Sequence, residues 1–329
     1  MLFYFGTGFS PIPALTWLAP LPMLLLASRA SGRATFALAF LAFLAGMTNQ
    51  LDFFLRTPSV PRPIGIGIIV GCSLLFGLVV WLFRALARRG LIMLAASAPP
   101  AVWVALMYLT VLANPTGIIW PLATSVADVP VVTQIASVTG AWGVEYVVML
   151  APTTLAAVLW PGTVAAARLR TGVVGAAACL LVLVFGTVRL AGADSTGWRL
   201  MAAPAADEFG NGRQHSRMGL LRGVETGLSV AWAAQWGTPM ISDPWGRVLA
   251  ERDTEGTRQP FVTAFADVPS GPGPTVYARF GDWFAWLCLA LAAAGLVALR
   301  SVPRQPGRGV GGQGAVLQGA AGQEEAARG

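Results

Sequence analysis

The segment "HSRMGLLRGVETGLSVAWAAQWGTPMISDPWGRVLAE" (residues 215–251) interrupts an otherwise apolar chain and contains the only histidine, His215. Its first part, with the preceding glutamine, "QHSRMGLLRGVETG" (214–227), predicts a helix. Arg222 and Glu225 lie three residues apart on this helix, a spacing at which two side chains can pair. The segment is typical of a soluble domain, although long apolar runs surround it.

Strands are predicted on both sides of this helix. The turn sequence "DPWG" has proline second and glycine fourth, which is typical of a type I turn, and further strand-like residues follow it. The order predicts a strand, a helix and then antiparallel strands. The predicted strands are "WRLMAAPA" (198–205), "LSVAWAAQ" (228–235), "TPMISD" (238–243), "RVLAE" (247–251) and "PFVTAFADV" (260–268).

The composition places most of the chain in a membrane. Of the 329 residues, 55% are hydrophobic and only 11% are charged, whereas a soluble domain has about 25% charged residues. All 22 basic residues are arginines, so the chain has no lysine. The arginines are scattered at the ends of apolar runs, and the net charge of +7 therefore does not indicate nucleic-acid binding. The sequence predicts a polytopic α-helical membrane protein.

Seven apolar runs have roughly the 20 residues that a membrane-spanning helix needs. Arginines follow the first, third, fifth and seventh runs, and the connection between the fourth and the fifth has none. Because cytoplasmic loops are enriched in basic residues, we expect a cytoplasmic C-terminus and an extracytoplasmic polar region. The predicted spans are 6–28, 34–54, 64–86, 91–113, 144–163, 171–192 and 280–299.

These runs divide the chain into four units. The segment 114–143 within the first unit is too apolar for an ordinary loop, and we expect it to form one or two short interfacial segments. Trp120 and Trp142 suit a membrane interface, where an indole keeps its ring in lipid and its N–H in water. The units are a membrane bundle of six spans (1–192), an extracytoplasmic α/β region (193–279), a last span (280–299) and a disordered cytoplasmic tail (300–329).

The three cysteines, Cys72, Cys179 and Cys288, each lie inside an apolar run. Their spacing matches neither a zinc motif nor a disulfide framework, so we expect no metal site. A cysteine in such a run usually acts as a small apolar side chain.

Four stretches, in this order along the chain, resemble the apolipoprotein N-acyltransferase family, whose outer domain belongs to the carbon–nitrogen hydrolase (nitrilase) superfamily. In the third stretch the family shows a His, then R-x-x-E, then a D-x-x-G-R turn. The matching residues here are His215, Arg222, Glu225, Asp243, Gly246 and Arg247. The four stretches are "FSPIPALTWLAPLPMLLLA" (9–27), "ADVPVVTQIASVTGAWGVEYVV" (127–148), the segment 214–251 and "TVYARFGDWFAW" (275–286).

The resemblance implies that residues 193–279 are a small, shortened form of a nitrilase-like α-β-β-α sandwich. It also implies a multi-pass protein of the bacterial inner membrane. Such enzymes transfer an acyl chain from a membrane phospholipid to a cysteine thiolate, and then to the N-terminal cysteine amine of a lipoprotein. They need a glutamate as general base, a lysine for the oxyanion and the cysteine nucleophile, and no cofactor.

This sequence departs from the family at that catalytic set. Only about ten residues separate the sixth predicted span from Met201, so the part that should supply the glutamate, lysine and cysteine is missing. We therefore expect no identifiable catalytic residues. His215 with Ser216 is a weak substitute, since adjacent helical residues do not face each other. Asp207 with Glu208 suits a solvated loop as well as a paired-carboxylate site. Glu145 lies at membrane depth, where ionisable groups are usually functional, or in the headgroup layer.

Three hypotheses follow. In the first, the chain is an acyltransferase homologue that is inactive with the residues in this sequence. In the second, it is a pseudoenzyme that binds lipid or lipoprotein, or that modulates an intact homologue. The third, a seven-span transporter or receptor, is disfavoured because the spans contain almost no ionisable residues. A sandwich that lacks half its strands leaves apolar sheet faces and edges uncovered, which predicts packing against the bundle or a partner.

Overall fold

The computed structural model describes residues 1–57, 60–113, 122–192, 200–205, 210–235, 237–254 and 262–302. Within these ranges six helices are long and apolar enough to cross a membrane. The protein is therefore mostly helical and membrane-embedded. The first of the six combines α4 (Gly32–Met47), a 3-10 turn (Thr48–Gln50) and α5 (Leu51–Arg56). The others are α6 (Arg62–Ala87), α7 (Ile92–Ala113), α11 (Ala141–Val158), α12 (Ala165–Ala191) and α15 (Trp283–Ser301).

The first predicted span, 6–28, is not one continuous helix. It consists of three short helices, α1 (Leu2–Gly6), α2 (Pro13–Leu18) and α3 (Leu21–Leu26). Prolines lie in the first turns of α2 and α3, where a helix does not use the backbone N–H that proline lacks. Inside one continuous helix the same prolines would interrupt the hydrogen-bond ladder. The Thr16 hydroxyl donates to the Gly6 carbonyl at 2.6 Å and holds α2 against the end of α1.

Aromatic side chains form the centre of the bundle. Phe3 packs against Phe43 and Phe76 with ring centroids 4.8 and 4.9 Å apart, and Phe43 packs against Trp103 at 5.9 Å. All four are buried, and offset or edge-on aromatic pairs add to the free energy gained from burial. These contacts join α1, α4, α6 and α7.

Eight of the 22 arginines lie at one end of the bundle. Arg84 donates to the Ala30 carbonyl through Nε and Nη2 at 3.0 and 2.8 Å, and Arg89 Nε donates to the Val302 carbonyl at 2.9 Å. Phe83 lies against Trp160 with ring centroids 5.7 Å apart. The segments 27–33, 84–92, 158–170 and 298–302 therefore share one end of the molecule, which we call the arginine end. The opposite end is the sheet end.

A four-stranded sheet with the order β1-β2-β3-β4 lies at the sheet end. β1 and β2 are parallel and are joined through α13 (Gly212–Thr226), while β2–β3 and β3–β4 are antiparallel. This confirms the predicted order of a strand, a helix and antiparallel strands. The strands are β1 (Leu200–Ala205), β2 (Ser229–Ala234), β3 (Met240–Ser242) and β4 (Val248–Glu251).

α13 covers one face of this sheet. Leu220, Leu221 and Val224 of α13 are buried in the hydrophobic core. A Cβ on Gly219 would come within 2.5 Å of the Trp232 ring, so glycine is what allows the helix to approach β2 this closely. The local pattern of the sequence therefore becomes a packed helix–sheet layer.

The strand predicted over 260–268 is wrong for residues 262–268, which form no strand. Pro269, Pro272 and Pro274 follow, and proline has no N–H to donate to a ladder. The segment instead runs as irregular chain past β2, where Ser229 Oγ donates to the Pro269 carbonyl at 3.1 Å. It then enters α14 (Val276–Phe280) and α15.

Three one-turn helices lie in the described part of the predicted interfacial segment. The sequence predicts one or two short segments there, so the structure has at least one more than expected, and their interfacial placement stays a prediction. They are α8 (Leu122–Ser125), α9 (Pro130–Thr133) and α10 (Ala136–Thr139). Trp120 lies outside the described residues, as do Asp207 and Glu208.

Candidate functional site

The sheet end is where α13 meets the bundle, and two arginines hold the first part of this helix. Arg217 is almost fully buried; its Nε donates to Asp128 at 2.6 Å, and its Nη1 and Nη2 donate to Glu251 at 3.0 Å each. Arg213, one turn earlier, donates to the other oxygen of Asp128 at 2.9 Å. Burial lowers the pKa of Arg217, but its two carboxylate partners more than offset this and leave the pKa raised. Arg217 therefore ties α13 both to the bundle and to β4.

The predicted Arg222–Glu225 pair holds the second part of α13. Glu225 is buried; its Oε2 accepts from Arg222 Nη1 at 2.6 Å and its Oε1 accepts from the Ala141 N–H, also at 2.6 Å. Burial raises the pKa of this carboxyl, although Arg222 and the Ala141 N–H oppose the shift. The Thr275 hydroxyl donates to the Glu225 carbonyl. Glu225 therefore connects α13 to the start of α11 and to the chain that leads into the last helix.

Trp142 and Tyr277 share one carboxylate beside this pair. Trp142 Nε1 donates to Asp282 Oδ1 at 2.8 Å, and the Tyr277 hydroxyl donates to the same oxygen at 2.9 Å. Burial and the nearby Glu225 and Asp282 carboxylates raise the pKa of Tyr277. The Trp142 indole is 3% exposed, so its contacts in the described structure are with protein. Its interfacial role stays a prediction.

Asp243, Gly246 and Arg247 form the tight turn between β3 and β4. Asp243 is fully buried; its Oδ1 accepts from the N–H groups of Trp245 and Arg247, and its Oδ2 accepts from Arg247 Nε at 2.5 Å. The Gly246 N–H donates to the Asp243 carbonyl at 3.1 Å, which closes the predicted turn. Gly246 has φ +76°, a conformation that favours glycine.

This turn also docks on the bundle. The Trp245 carbonyl accepts from Gln134 Nε2 at 2.7 Å, and Gln134 Oε1 accepts from Arg189 Nε of α12 at 3.1 Å. The Trp245 side chain is 1% exposed. Five of the six family-matching residues therefore take part in contacts that shape or dock the segment, namely Arg222, Glu225, Asp243, Gly246 and Arg247.

Glu145 lies deep in the bundle rather than at a solvated surface. It is fully buried; its Oε2 accepts from Trp103 Nε1 at 2.7 Å and its Oε1 accepts from the Ala123 N–H at 2.9 Å. These bonds tie α7 and α8 to α11. Because both oxygens already accept hydrogen bonds, Glu145 holds α8 on the bundle.

His215 and Ser216 do not act on each other. The Ser216 hydroxyl donates to the Arg213 carbonyl at 2.8 Å, one turn back along α13. His215 Nε2 lies 3.3 Å from Asn211 Nδ2. The structure thus agrees with the expectation that adjacent helical residues diverge.

A cavity of about 20 Å³ lies between α13 and the bundle. Cys72 lines it, together with Gln50 and Gln214, whose side-chain oxygens are buried without a hydrogen-bond partner among the described residues. That volume holds roughly one water molecule and no acyl chain. Cys179 is half-buried in α12 and Cys288 is fully buried in α15. No group of three potential metal ligands occurs in the described ranges.

The sequence did not predict which distant residues contact α13 and the β3–β4 turn. Asp128, Gln134 and Glu251 meet α13 and the turn from distant positions. One signal was available: Arg213 and Arg217 lie four residues apart and therefore on one face of α13. Nothing local to Asp128 or Gln134 marks them as their partners.

Comparison with known proteins finds partial matches to one family. Residues 1–154 match the family model described as the apolipoprotein N-acyltransferase N-terminal domain. A protein of Gloeobacter violaceus named apolipoprotein N-acyltransferase is 41% identical over 96 residues, which is 29% of this chain and 18% of that protein. One of the same name from Rhodopseudomonas palustris is 35% identical over 92 residues, 27% of this chain and 16% of that protein. The aligned stretches thus span less than a fifth of either relative. Over residues 1–154, just under half of its length, the chain is therefore similar to the N-terminal domain of apolipoprotein N-acyltransferases.

Proposed function

We propose that this chain is a membrane-embedded apolipoprotein N-acyltransferase homologue that does not transfer acyl chains by itself. The observation that carries the proposal is the use of the polar side chains at the sheet end. Arg217, Glu225 and Asp243 are buried, the Arg222 side chain is 48% exposed, and all four are engaged in intramolecular contacts. A catalytic acid, base or nucleophile needs a free atom within hydrogen-bond reach of its substrate.

The chemistry of the family supports the same conclusion. Acyl transfer through a thioester needs a thiolate, and a thiol in an apolar helix is protonated and unreactive. Cys72, Cys179 and Cys288 all lie within helices of the bundle. The oxyanion of the transition state needs a donor such as the family's lysine, and this sequence contains no lysine.

We also propose the orientation in the bacterial inner membrane. The arginine end faces the cytoplasm, because basic residues are enriched in cytoplasmic loops, and the C-terminus lies on that side. The sheet end faces outward. Asn49, at the sheet end, donates to the carbonyls of Tyr4 and Thr7 at 2.7 Å each, whereas Arg84 binds Ala30 at the arginine end. The broken helices α1–α3 would then supply a seventh crossing.

The segment at the sheet end is, in this proposal, part of a nitrilase-like α-β-β-α sandwich. A strand, a crossover helix and an antiparallel hairpin agree with that fold. The face of the sheet away from α13 carries apolar side chains, including Leu200 at 56% and Leu249 at 38% exposure. Such a face and the free edge of β1 need a cover.

The second candidate function is a non-catalytic one, in which the chain binds membrane phospholipid or the lipid-modified N-terminus of a lipoprotein. The exposed apolar side chains of this sheet face favour it, since they offer a surface to a partner such as an intact homologue. The two candidates share one fold and differ in whether acyl transfer occurs.

A rescue experiment separates them. The chain is expressed in bacteria depleted of their own apolipoprotein N-acyltransferase, with the Gloeobacter violaceus relative as positive control. Mass spectrometry of a lipoprotein's N-terminal peptide reports the amine-linked acyl chain. We expect a free amine although the chain is present in the membrane fraction. An acylated amine that persists in a variant with Cys72, Cys179 and Cys288 all changed to alanine would reveal a nucleophile other than a thiol, and loss in that variant would identify a cysteine.

A further inference from the structure

An open groove of about 470 Å³ runs along α12 near the arginine end. One face of α12 forms it, with residues that recur every three or four positions, and Val158 at the end of α11 closes one side. The lining residues on α12 are Ala165, Arg168, Leu169, Gly172, Val173 and Ala176. The groove is thus apolar along its length, with a single arginine toward its arginine end.

The charged residues in the described segments around this groove are all of one sign. Neither aspartate nor glutamate occurs in the four segments of the arginine end, which contain eight arginines. Arg84 and Arg89 bind backbone carbonyls there. The Arg168 side chain is exposed, and its guanidinium forms no hydrogen bond or ion pair within the described part of the chain. Within the described residues, the mouth of the groove therefore has a free cation and no carboxylate in the surrounding segments to neutralise it.

We propose that this groove binds one anionic phospholipid, with an acyl chain along Leu169, Val173 and Ala176 and the headgroup phosphate at Arg168. Basic pockets between membrane helices on the cytoplasmic side recognise anionic headgroups. A guanidinium also matches a phosphate in geometry as well as in charge. The volume lies within the range of roughly 300–1,000 Å³ that is typical of ligand pockets.

This site is separate from the sheet end, where the family's acyl donor would be used, because it lies at the opposite end of the bundle. It rests on the membrane placement proposed above but not on acyl transfer. The lipid would fill the gap between α11 and α12 beside Val158. The two helices pack closely elsewhere, where Gly175 meets Thr154.

Native mass spectrometry of the full chain, released from mixed phosphatidylglycerol and phosphatidylcholine nanodiscs, counts retained lipids. We expect one phosphatidylglycerol molecule per chain. Arg168→Gln should weaken its retention about fivefold, the effect of one basic residue near an anionic headgroup. Arg170→Gln removes the same charge from the same helix outside the groove lining and should leave retention unchanged.

A second pair of variants tests the groove itself. A Cβ on Gly172 would meet only Val158 Cγ2, at an ordinary 3.4 Å, so Gly172→Leu should fold, fill the groove and expel the lipid. Ala177→Leu adds the same side chain on an exposed part of α12 outside the lining and is the control. Equal loss in both arginine variants, equal retention of phosphatidylcholine, or competition by inorganic phosphate alone would each overturn the proposal. A chain that does not enter nanodiscs would instead contradict the membrane placement.

Discussion

Changing Arg217 to methionine should loosen the sheet-end segment from the bundle. Methionine keeps much of the buried stem but removes all three charge-assisted hydrogen bonds, one to Asp128 and two to Glu251. Removing one partner of a buried ion pair costs about 3–5 kcal/mol. The two carboxylates are 34% and 29% exposed and can regain water, so we expect a loss near the lower limit, about 3 kcal/mol.

Hydrogen–deuterium exchange of peptides from α13 and β4, in detergent micelles, measures this loss as the free energy of local opening. A loss of about 3 kcal/mol corresponds to exchange more than about a hundredfold faster. Arg213→Met is the matched control: it removes one bond to the same Asp128 from a side chain that is 46% exposed and should cost less than about 1 kcal/mol. Equal exchange rates in the two variants would refute the assignment of Arg217 as the residue that docks α13.

Two further predictions concern the same junction, and a third concerns the Glu145 contacts inside the bundle. Burial raises the pKa of Glu225 in the folded protein. The contribution of Glu225 to docking is therefore fully present below about pH 4.3 and is lost as the pH rises through the folded pKa. Glu225→Gln should remove that pH dependence from the hydrogen exchange of α13, and an unchanged profile would contradict this prediction. Gly246→Ala should destabilise the turn by about 2 kcal/mol, because Gly246 has φ +76° and a Cβ there would lie 2.9 Å from Val224. Gly273→Ala is the control; Gly273 has φ +85° but open surroundings, so this change should cost about 1 kcal/mol. Trp103→Phe removes a hydrogen-bond donor from the buried Glu145 carboxylate and should lower the free energy of unfolding by about 1–3 kcal/mol. The variant should therefore unfold faster on heating than the control Trp286→Phe, whose ring is 60% exposed.

Local signals in the sequence predicted the helices and most of the sheet. Period-3.6 polarity and the glycine after Thr226 set α13, which begins two residues earlier and ends one residue earlier than predicted. Proline and glycine in "DPWG" set the β3–β4 turn. Length and hydropathy identified six helices that could cross a membrane. These features depend on neighbours within a few residues, so a single sequence contains them.

Long-range partners could not be predicted in this way. Arg217 and Asp128 are 89 residues apart, and Gln134 and Trp245 are 111 apart. Glu145 was expected at membrane depth or in the headgroup layer, and only the fold reveals that Trp103 and Ala123 occupy its two oxygens. The breaks within 6–28 arise from prolines that the sequence displays, but their effect depends on the helices that pack around them.

The most direct test of the account is the intact mass of the purified full chain after incubation with phospholipid in micelles. If no thiol in this chain accepts an acyl group, the mass stays unchanged, while the Gloeobacter violaceus relative, treated in parallel, serves as the positive control. A mass increase of one acyl chain that neutral hydroxylamine removes would demonstrate a thioester and contradict the central claim. Peptide mapping would then show whether Cys72, Cys179 or Cys288 carries it.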